Sequence, residues 1–172
     1  MSELKDLMQR APRLRIAVAE SITCGHLQAR IGGVSGASRF FLGGITAYSL
    51  EQKIRHLGVR RDIAEPVNCV SEEVARAMAR GACGLFGCGL ALATTGYAEP
   101  CAARGVPQPF AWWALAHRAG GGGGFVFSSA RVDCPGMGRA AVQRRVAAAA
   151  FDALLAHLRQ ADRAQNQGTG RE

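Results

Sequence analysis

The chain of 172 residues contains no apolar run that approaches the roughly 20 residues of a membrane-spanning helix. Its first residues, Met1 to Lys5, lack the basic start and unbroken apolar stretch of an export signal. No internal repeat is apparent. These absences predict a soluble, cytoplasmic protein that does not bind membranes.

Patterns typical of metal binding are missing as well. The six cysteines include no Cys-x-x-Cys pair, and the four histidines show neither zinc-finger spacing nor a His-Glu-x-x-His motif. In a chain with no secretory signal, spread-out cysteines are expected to be reduced thiols rather than a disulfide framework. We therefore predict no metal and no other cofactor.

The chain carries a net positive charge that is spread along its length. Its net charge is +8 and its pI is about 9.8, with arginine supplying most of the positive charge. The basic clusters Arg60-Arg61 and Arg144-Arg145 are short and carry no interleaved aromatic residues for base stacking. A basic pI alone indicates solubility and nonspecific attraction of anions. Nucleic-acid binding is thus a weak hypothesis for this chain, whereas a small phosphorylated ligand is compatible with its charge.

Strand and helix patterns alternate along a chain that is 48% hydrophobic, enough for one domain core. They predict a single compact α/β domain, a mixed β-sheet flanked by helices. We expect an N-terminal helix within residues 1–13, the main domain over 14–160 and a disordered tail over 161–172. Predicted strands lie at 14–19, 40–48, 89–94, 110–117 and 125–132. Predicted helices lie at 2–10, 23–32, 71–86 and 139–159, and a further short helix carries Lys53 and closes at Gly58.

Glycine marks two special places in this pattern. The Gly43-Gly44 pair inside the second strand predicts a bulge or a close backbone approach. The five glycines at 120–124 lack the Lys-Ser/Thr that ends a phosphate-binding loop, so they predict a flexible hairpin connection.

Ser21 and Lys53 each follow a predicted strand, at the sheet edge where open α/β folds bind ligands. A serine hydroxyl becomes a nucleophile when a base takes its proton, and a desolvated lysine amine can be that base. The N–H groups of the helix after Ser21 could then stabilise an oxyanion. The alternatives are that Ser21 or Thr23 only caps this helix, and that Lys53 is solvated. Tyr48 could orient Lys53 or donate to the substrate, or it could merely pack with its hydroxyl at water.

Three neighbouring features have competing interpretations. Cys24 is a rival nucleophile near a helix start, but without a histidine base we interpret it as a small packing residue. Glu20 is interpreted as a surface charge at a strand end. The turn at 94–100 has the hydroxyls, glycine and proline of a ligand-facing turn, although an ordinary loop would look similar.

Five motifs follow one another between about residue 14 and residue 158: Ala19-Glu20-Ser21-x-Thr23-x-Gly25, Phe41-Leu42-Gly43-Gly44-Ile45-x-Ala47-Tyr48-Ser49-x-x-x-Lys53, Leu57-Gly58-Val59, Val70-Ser71-Glu72-Glu73-Val74-Ala75 and Thr95-Gly96-x-Ala98-x-Pro100. Together they resemble the C-terminal domain of the CinA family of competence- or damage-inducible proteins. The family's N-terminal molybdopterin-binding-like domain has no counterpart here, so the resemblance implies the stand-alone form.

The resemblance implies a nicotinamide-nucleotide amidase of NAD salvage, which hydrolyses nicotinamide mononucleotide to nicotinate mononucleotide and ammonia without a metal and forms homodimers. By position, Ser21 would attack the carboxamide carbon and Lys53 would act as base, with Tyr48 beside them. The implied substrate-binding residues are Thr23, Gly25, Gly44, Thr95, Gly96 and, for the phosphate, Arg139.

The chain also departs from the family pattern. The family's Ser-Cys-Thr-Gly-Gly is Ser21-Ile22-Thr23-Cys24-Gly25 here, and its Thr-Gly-Ile-Ala-Gly-Pro carries Glu99 in place of the second glycine. The family's Lys-Pro-Val-Gly begins with Gln108, which removes a cation. Glu99 places a negative charge beside the implied phosphate site. A second hypothesis therefore remains: a weakly active or inactive member that binds another metabolite or acts as a dimeric interaction module.

Overall fold

A computed structural model describes residues 2–11, 14–118 and 124–168. These residues form a five-stranded sheet with helices on both faces, which confirms the predicted fold class. The strands are β1 (Ile16–Glu20), β2 (Phe41–Thr46), β3 (Leu90–Tyr97), β4 (Phe110–Arg118) and β5 (Phe125–Asp133). The helices are α1 (Ser2–Arg10), α2 (His26–Gly32), α3 (Leu50–Leu57), α4 (Arg61–Ala64), α5 (Glu72–Phe86) and α6 (Arg139–Gly168). In these described ranges no helix has the length and apolarity needed to cross a membrane.

The strands are arranged in the order β2-β1-β3-β4-β5. β1 pairs in parallel with both β2 and β3, whereas β3 with β4 and β4 with β5 pair antiparallel. The carboxyl ends of β1, β2 and β3 therefore meet at one edge of the sheet. Ser21 and the segments that follow β2 and β3 lie at that edge, which is where α/β sheets bind ligands.

The central strands are buried on both faces because helices cover each side. In β1, Ile16 and Val18 pack with α1, α2 and α6, while Ala17 and Ala19 pack with α5. β3 repeats this division: its leucines, Leu90 and Leu92, face α6 and its alanines face α5. Small alanines let α5 lie close to the sheet, and this packing fixes the height at which the strand ends emerge.

The bulge predicted from Gly43-Gly44 is confirmed, and the close neighbours of Gly44 are side chains. Ile16 pairs with Phe41 but Ala17 pairs with Gly43, so β2 carries one extra residue in a bulge. Gly44 lies so close to β1 that an added Cβ would be 2.4 Å from Cγ2 of Val18. The same Cβ would be 2.6 Å from the side chain of Gln28 on α2, so a larger residue would collide with both side chains.

The predicted tail boundary is corrected by the course of α6. The helix does not end near 159 but continues to Gly168, so residues 161–168 are helical rather than disordered. One reason is tertiary: Arg10 at the end of α1 donates to Asp162 at 2.8 Å, which ties this part of α6 to the domain. Residues 169–172, and most of the glycine run predicted to connect β4 and β5, lie outside the described residues.

Candidate active site

The structure brings Ser21 and Lys53 into contact. Ser21 is the first residue after β1, and its Oγ accepts a hydrogen bond from Nζ of Lys53 at 3.0 Å. Lys53 is 1% exposed and Ser21 7% exposed. Two backbone carbonyls, those of Ala47 at 2.9 Å and Tyr48 at 2.7 Å, accept the remaining hydrogen bonds of the amine.

Local sequence explains why Lys53 points inward. Ser49 caps α3 by accepting from the N–H of Gln52, and Gly58 ends the helix in the left-handed conformation. Lys53 and Leu57, four residues apart, form the buried side of this short helix. The N–H of Ala47 donates to the carbonyl of Glu20 at 2.9 Å, so the end of β2 is held against the end of β1.

The burial of Lys53 favours a neutral amine. Burial lowers the pKa of Lys53 below its ordinary value, and the nearby Cys69 opposes that shift. The carbonyls of Ala47 and Tyr48 can only accept, so each holds one N–H of the amine. When the amine is neutral, its remaining position is the lone pair, and it faces the Ser21 hydroxyl. The geometry is therefore suited to proton transfer from serine to lysine.

Glu20 is the main functional residue that sequence reasoning missed. Its carboxylate is fully buried and accepts from the N–H groups of Gly25, Leu27 and Gln28 at 2.9, 3.1 and 2.8 Å. The interpretation as a surface charge was wrong, and so was the expectation that Ser21 or Thr23 caps α2. An acidic residue a few positions before a helix start was the available signal, because carboxylates are stabilised at helix N-termini.

The capping by Glu20 also corrects the expected oxyanion site. The N–H groups at the start of α2 that were expected to face the substrate are already bonded to this carboxylate. Glu20 instead makes the turn after β1 rigid, and Ser21 lies at the beginning of that turn.

Three of the implied substrate-binding residues are placed in the protein interior or the turn. Thr23 is fully buried, and its Oγ1 lies 2.7 Å from Oγ1 of Thr94. Gly25 has φ +100° and precedes α2, and Gly44 packs against β1. None of the three lines the cavity at Ser21. They lie at or beside the strand ends, outside the lining of this cavity.

A cavity of about 550 Å³ opens at the carboxyl edge of the sheet beside Ser21 and Lys53. Thr95 and Gly96, at the end of β3, form one wall as the resemblance implies. The Thr95 hydroxyl donates to the carbonyl of Cys69 at 2.6 Å, which fixes that wall to the segment before α5. Gly96 lies so close to β4 that an added Cβ would be 2.6 Å from Ala111. The volume is in the range of cavities that hold small molecules.

Tyr48 contributes differently from its predicted role. Its backbone carbonyl orients Lys53, whereas its side chain is 58% exposed at the cavity mouth. The prediction that the tyrosine side chain acts on the lysine is therefore corrected. Any residue in this backbone conformation would offer the same carbonyl.

Arg139, the first residue of α6, reaches the same mouth and is already paired. Its Nε and Nη2 donate to one carboxylate oxygen of Glu99 at 3.1 and 2.7 Å. Hydrogen bonding to Glu99, and then to the Tyr48 hydroxyl, raises the pKa of Arg139. The structure thus places Arg139 beside the cavity, as the resemblance implies, but with an acidic partner on its guanidinium.

Cys24 is neither buried nor part of the cavity lining. It is exposed and has φ +48°, a left-handed conformation that favours glycine. The interpretation as a packing residue was wrong, because this position in the turn projects the side chain to solvent. Two other cysteines, Cys69 and Cys101, line the cavity, and sequence reasoning singled out neither.

The six cysteines are all free thiols. No group of three or more His, Cys, Asp or Glu side chains is placed to hold a metal ion in the part of the chain that the structure describes.

Fold and site together define a class: an α/β protein with a buried serine-lysine pair at the carboxyl edge of its parallel strands. The model of the CinA C-terminal domain family matches residues 2–158, and the chain belongs to this family.

Similar proteins agree with this assignment. A CinA-like protein of Syntrophomonas wolfei is 48% identical over 86 residues, which are 50% of this chain and 21% of that protein. A CinA-like protein of Mycobacterium marinum is 46% identical over 101 residues, 58% of this chain and 24% of that protein. The chain therefore corresponds to only a quarter or less of the length of these relatives.

Solved structures extend the likeness to nearly the whole fold. The competence damage-inducible protein A of Klebsiella pneumoniae has a TM-score of 0.81 at 26% identity, covering 91% of this chain and 93% of that one. A CinA superfamily protein of Escherichia coli has a TM-score of 0.78 at 28% identity, covering 89% and 87%.

Proposed function

We propose that the chain is an amidohydrolase that uses Ser21 and Lys53 to convert nicotinamide mononucleotide to nicotinate mononucleotide and ammonia. The observation that carries this proposal is the 3.0 Å contact between Nζ of Lys53 and Oγ of Ser21, both buried beside a cavity. A serine next to a desolvated amine is the arrangement that serine-lysine hydrolases need.

The proposed reaction has two stages. Neutral Lys53 takes the proton of the Ser21 hydroxyl while Oγ attacks the carboxamide carbon, and the carbonyl oxygen takes the negative charge. The protonated amine then gives its proton to the departing nitrogen, so ammonia leaves and an ester on Ser21 remains. Lys53 next activates a water that cleaves this ester, which releases the carboxylate product and restores the hydroxyl.

Two features support a nucleotide as the substrate. The cavity of about 550 Å³ has space for one, and Arg139 at its mouth is a residue type suited to phosphate. Family membership supports the same choice through the implied activity. NAD salvage is the corresponding biological role.

The experiment is an assay of purified protein with nicotinamide mononucleotide, following ammonia and the carboxylate product together. We expect equal amounts of both from the wild-type chain. Ser21→Ala should reduce the rate about 1,000-fold or more, because the nucleophile is removed. Ser128→Ala, a serine on β5 outside the cavity, is the matched control and should retain the rate. Undiminished ammonia release by Ser21→Ala would refute the proposal.

One observation favours a second candidate, a family member with little amidase activity that binds another metabolite. Glu99 occupies the guanidinium of Arg139 and so weakens the case for phosphate recognition. Absence of turnover together with saturable binding of a different small molecule would select this candidate.

Homodimer formation belongs to the proposal as well. Light scattering should then give a mass of twice 18.1 kDa. A mass equal to the single chain would remove this part of the proposal and leave the chemistry unaffected.

A further inference from the structure

At the cavity mouth, the positive charge of Arg139 is paired with the negative charge of Glu99. Among the described residues that line the cavity, Arg139 and Lys53 are the bases and Glu99 is the acid. Lys53 is buried at the serine, where burial lowers its pKa. Arg139 is therefore the cation that an entering anion would meet first, and Glu99 already holds it.

The contact uses the part of arginine that recognises oxyanions. Nε and Nη2 form one edge of the guanidinium, and both donate to Oε2 of Glu99. A phosphate would use the same kind of paired N–H donors. It would have to displace the carboxylate or bind beside it, and either way the negative charges repel one another.

The side chains of Glu99 and Arg139 are 57% and 50% exposed, so this repulsion is partly screened by solvent. We estimate that the carboxylate reduces affinity for a phosphate about five- to tenfold, not that it abolishes binding. The amide group would react at the far end of the cavity, at Ser21, where Glu99 makes no contact. Recognition of phosphate and chemistry at the amide are thus spatially separate.

We propose that Glu99 is a specificity-determining residue that cancels the anion recognition of Arg139, so that the site accepts nicotinamide-type carboxamides without a phosphate about as well as phosphorylated ones. This inference deepens, and rests on, the amidase function proposed above. The substrate class is an aromatic carboxamide carried on a sugar, with the phosphate optional.

The first experiment compares kcat/KM for nicotinamide mononucleotide and for nicotinamide riboside, which differ only in the phosphate. In the wild-type chain we expect the two values to agree within about threefold, because Glu99 offsets Arg139. Glu99→Gln removes the charge and keeps the size of the side chain. It should raise the mononucleotide-to-riboside ratio about five- to tenfold, mainly through a lower KM for the mononucleotide.

Glu3→Gln is the matched control. Glu3 also accepts two hydrogen bonds from an exposed arginine, Arg159, at 2.6 and 2.9 Å, but this pair is outside the cavity. The substitution changes the net charge equally and should leave the substrate ratio unchanged. An unchanged ratio in Glu99→Gln, an equal rise in Glu3→Gln, or a wild-type preference of 100-fold for the mononucleotide would each overturn the inference.

A binding experiment separates this inference from the proposed activity. Calorimetry on the Ser21→Ala protein, with and without Glu99→Gln, measures both ligands in the absence of turnover. We expect Glu99→Gln to tighten mononucleotide binding about five- to tenfold, to leave riboside binding unchanged, and to lose most of this gain in 0.5 M salt.

The outcomes are distinguishable. Tighter mononucleotide binding with no ammonia release from any variant would support the role of Glu99 and refute the amidase. Ammonia release, with no effect of Glu99→Gln on the kcat/KM ratio or on mononucleotide binding, would support the amidase and refute the role of Glu99. Failure of the mononucleotide to bind even the Glu99→Gln protein would overturn the inference.

Discussion

The two ends of the cavity are built in opposite ways. At the inner end, Lys53 and Ser21 are buried, and three acceptors surround the amine at 2.7 to 3.0 Å. At the mouth, Arg139 and Glu99 meet across a half-exposed ion pair. Buried polar groups must be satisfied, so the inner geometry tolerates little change. Exposed charges contribute little to stability, so the mouth can change its ligand preference without unfolding the domain.

The largest effect should come from removing the amine at the inner end. Lys53→Met keeps the length of the side chain but cannot accept the serine proton, so we expect activity to fall at least about 1,000-fold. Lys53→Arg should be equally inactive because arginine stays protonated. Activity assays are paired with thermal unfolding to show that the variants fold. Substantial activity in Lys53→Met would mean that the inner end is not the reaction site.

The pH dependence should sharpen the difference between the ends. Burial lowers the pKa of Lys53 below its ordinary 10.5, and only the neutral amine can act as base. We therefore expect kcat/KM to rise with pH, about tenfold per unit, and to level off above the lowered pKa. Glu99→Gln should shift this profile little, because Glu99 contacts Arg139 and not the lysine. A rate that falls as pH rises through neutrality would contradict the base role.

A stability effect should follow from Glu20→Gln. The amide keeps one oxygen but turns an NH₂ group toward donors of α2, so part of the cap on Gly25, Leu27 and Gln28 is lost. We expect the free energy of unfolding to fall by about 2 kcal/mol, measured by chemical denaturation.

The exposed acid Glu3 provides the control for this prediction. Glu3→Gln should change the free energy of unfolding by less than about 1 kcal/mol, because its ion pair lies at the surface. Equal losses of unfolding free energy from Glu20→Gln and Glu3→Gln would contradict the idea that the buried carboxylate contributes more to stability than the exposed one.

The smallest effect is expected for Tyr48→Phe. The carbonyl that holds Lys53 belongs to the backbone and is retained, and the ring is mostly exposed. Activity should remain within about threefold of the wild type, as for other partly exposed hydrogen-bonding groups. A loss of 100-fold would restore the side-chain role that the sequence resemblance implies.

Several elements of the fold could be predicted from local patterns. Ser71 caps α5 through the N–H of Val74, and short apolar or alternating runs bounded by turn residues located all five strands. The bulge beside Gly43 could also be predicted, because glycine inside a strand often marks a bulge or a close approach. These features depend on residues that are neighbours in sequence, where propensity and periodicity are informative.

The supporting residues were harder to assign. Thr23 and Gly25 share a motif with Ser21, but one is buried against Thr94 and the other turns the chain into α2. Residues that share a motif can have different roles: some line the cavity, and others support the residues that line it. Glu20 was misassigned for the same reason, because its three partners follow it by five to eight residues and become reachable only once the turn has folded.

The amino-acid sequence by itself determined the five strands, most of the helices, the positions of Ser21 after β1 and of Lys53 on the helix after β2, and the presence of an acid in the turn after β3. Only the tertiary structure decided that Lys53 reaches a serine 32 residues earlier and that Arg139 bonds an acid 40 residues earlier. The reason is that such contacts depend on which strands pair and on how helices pack upon them. Burial then distinguishes a lysine that acts as a base from one that would remain a solvated cation.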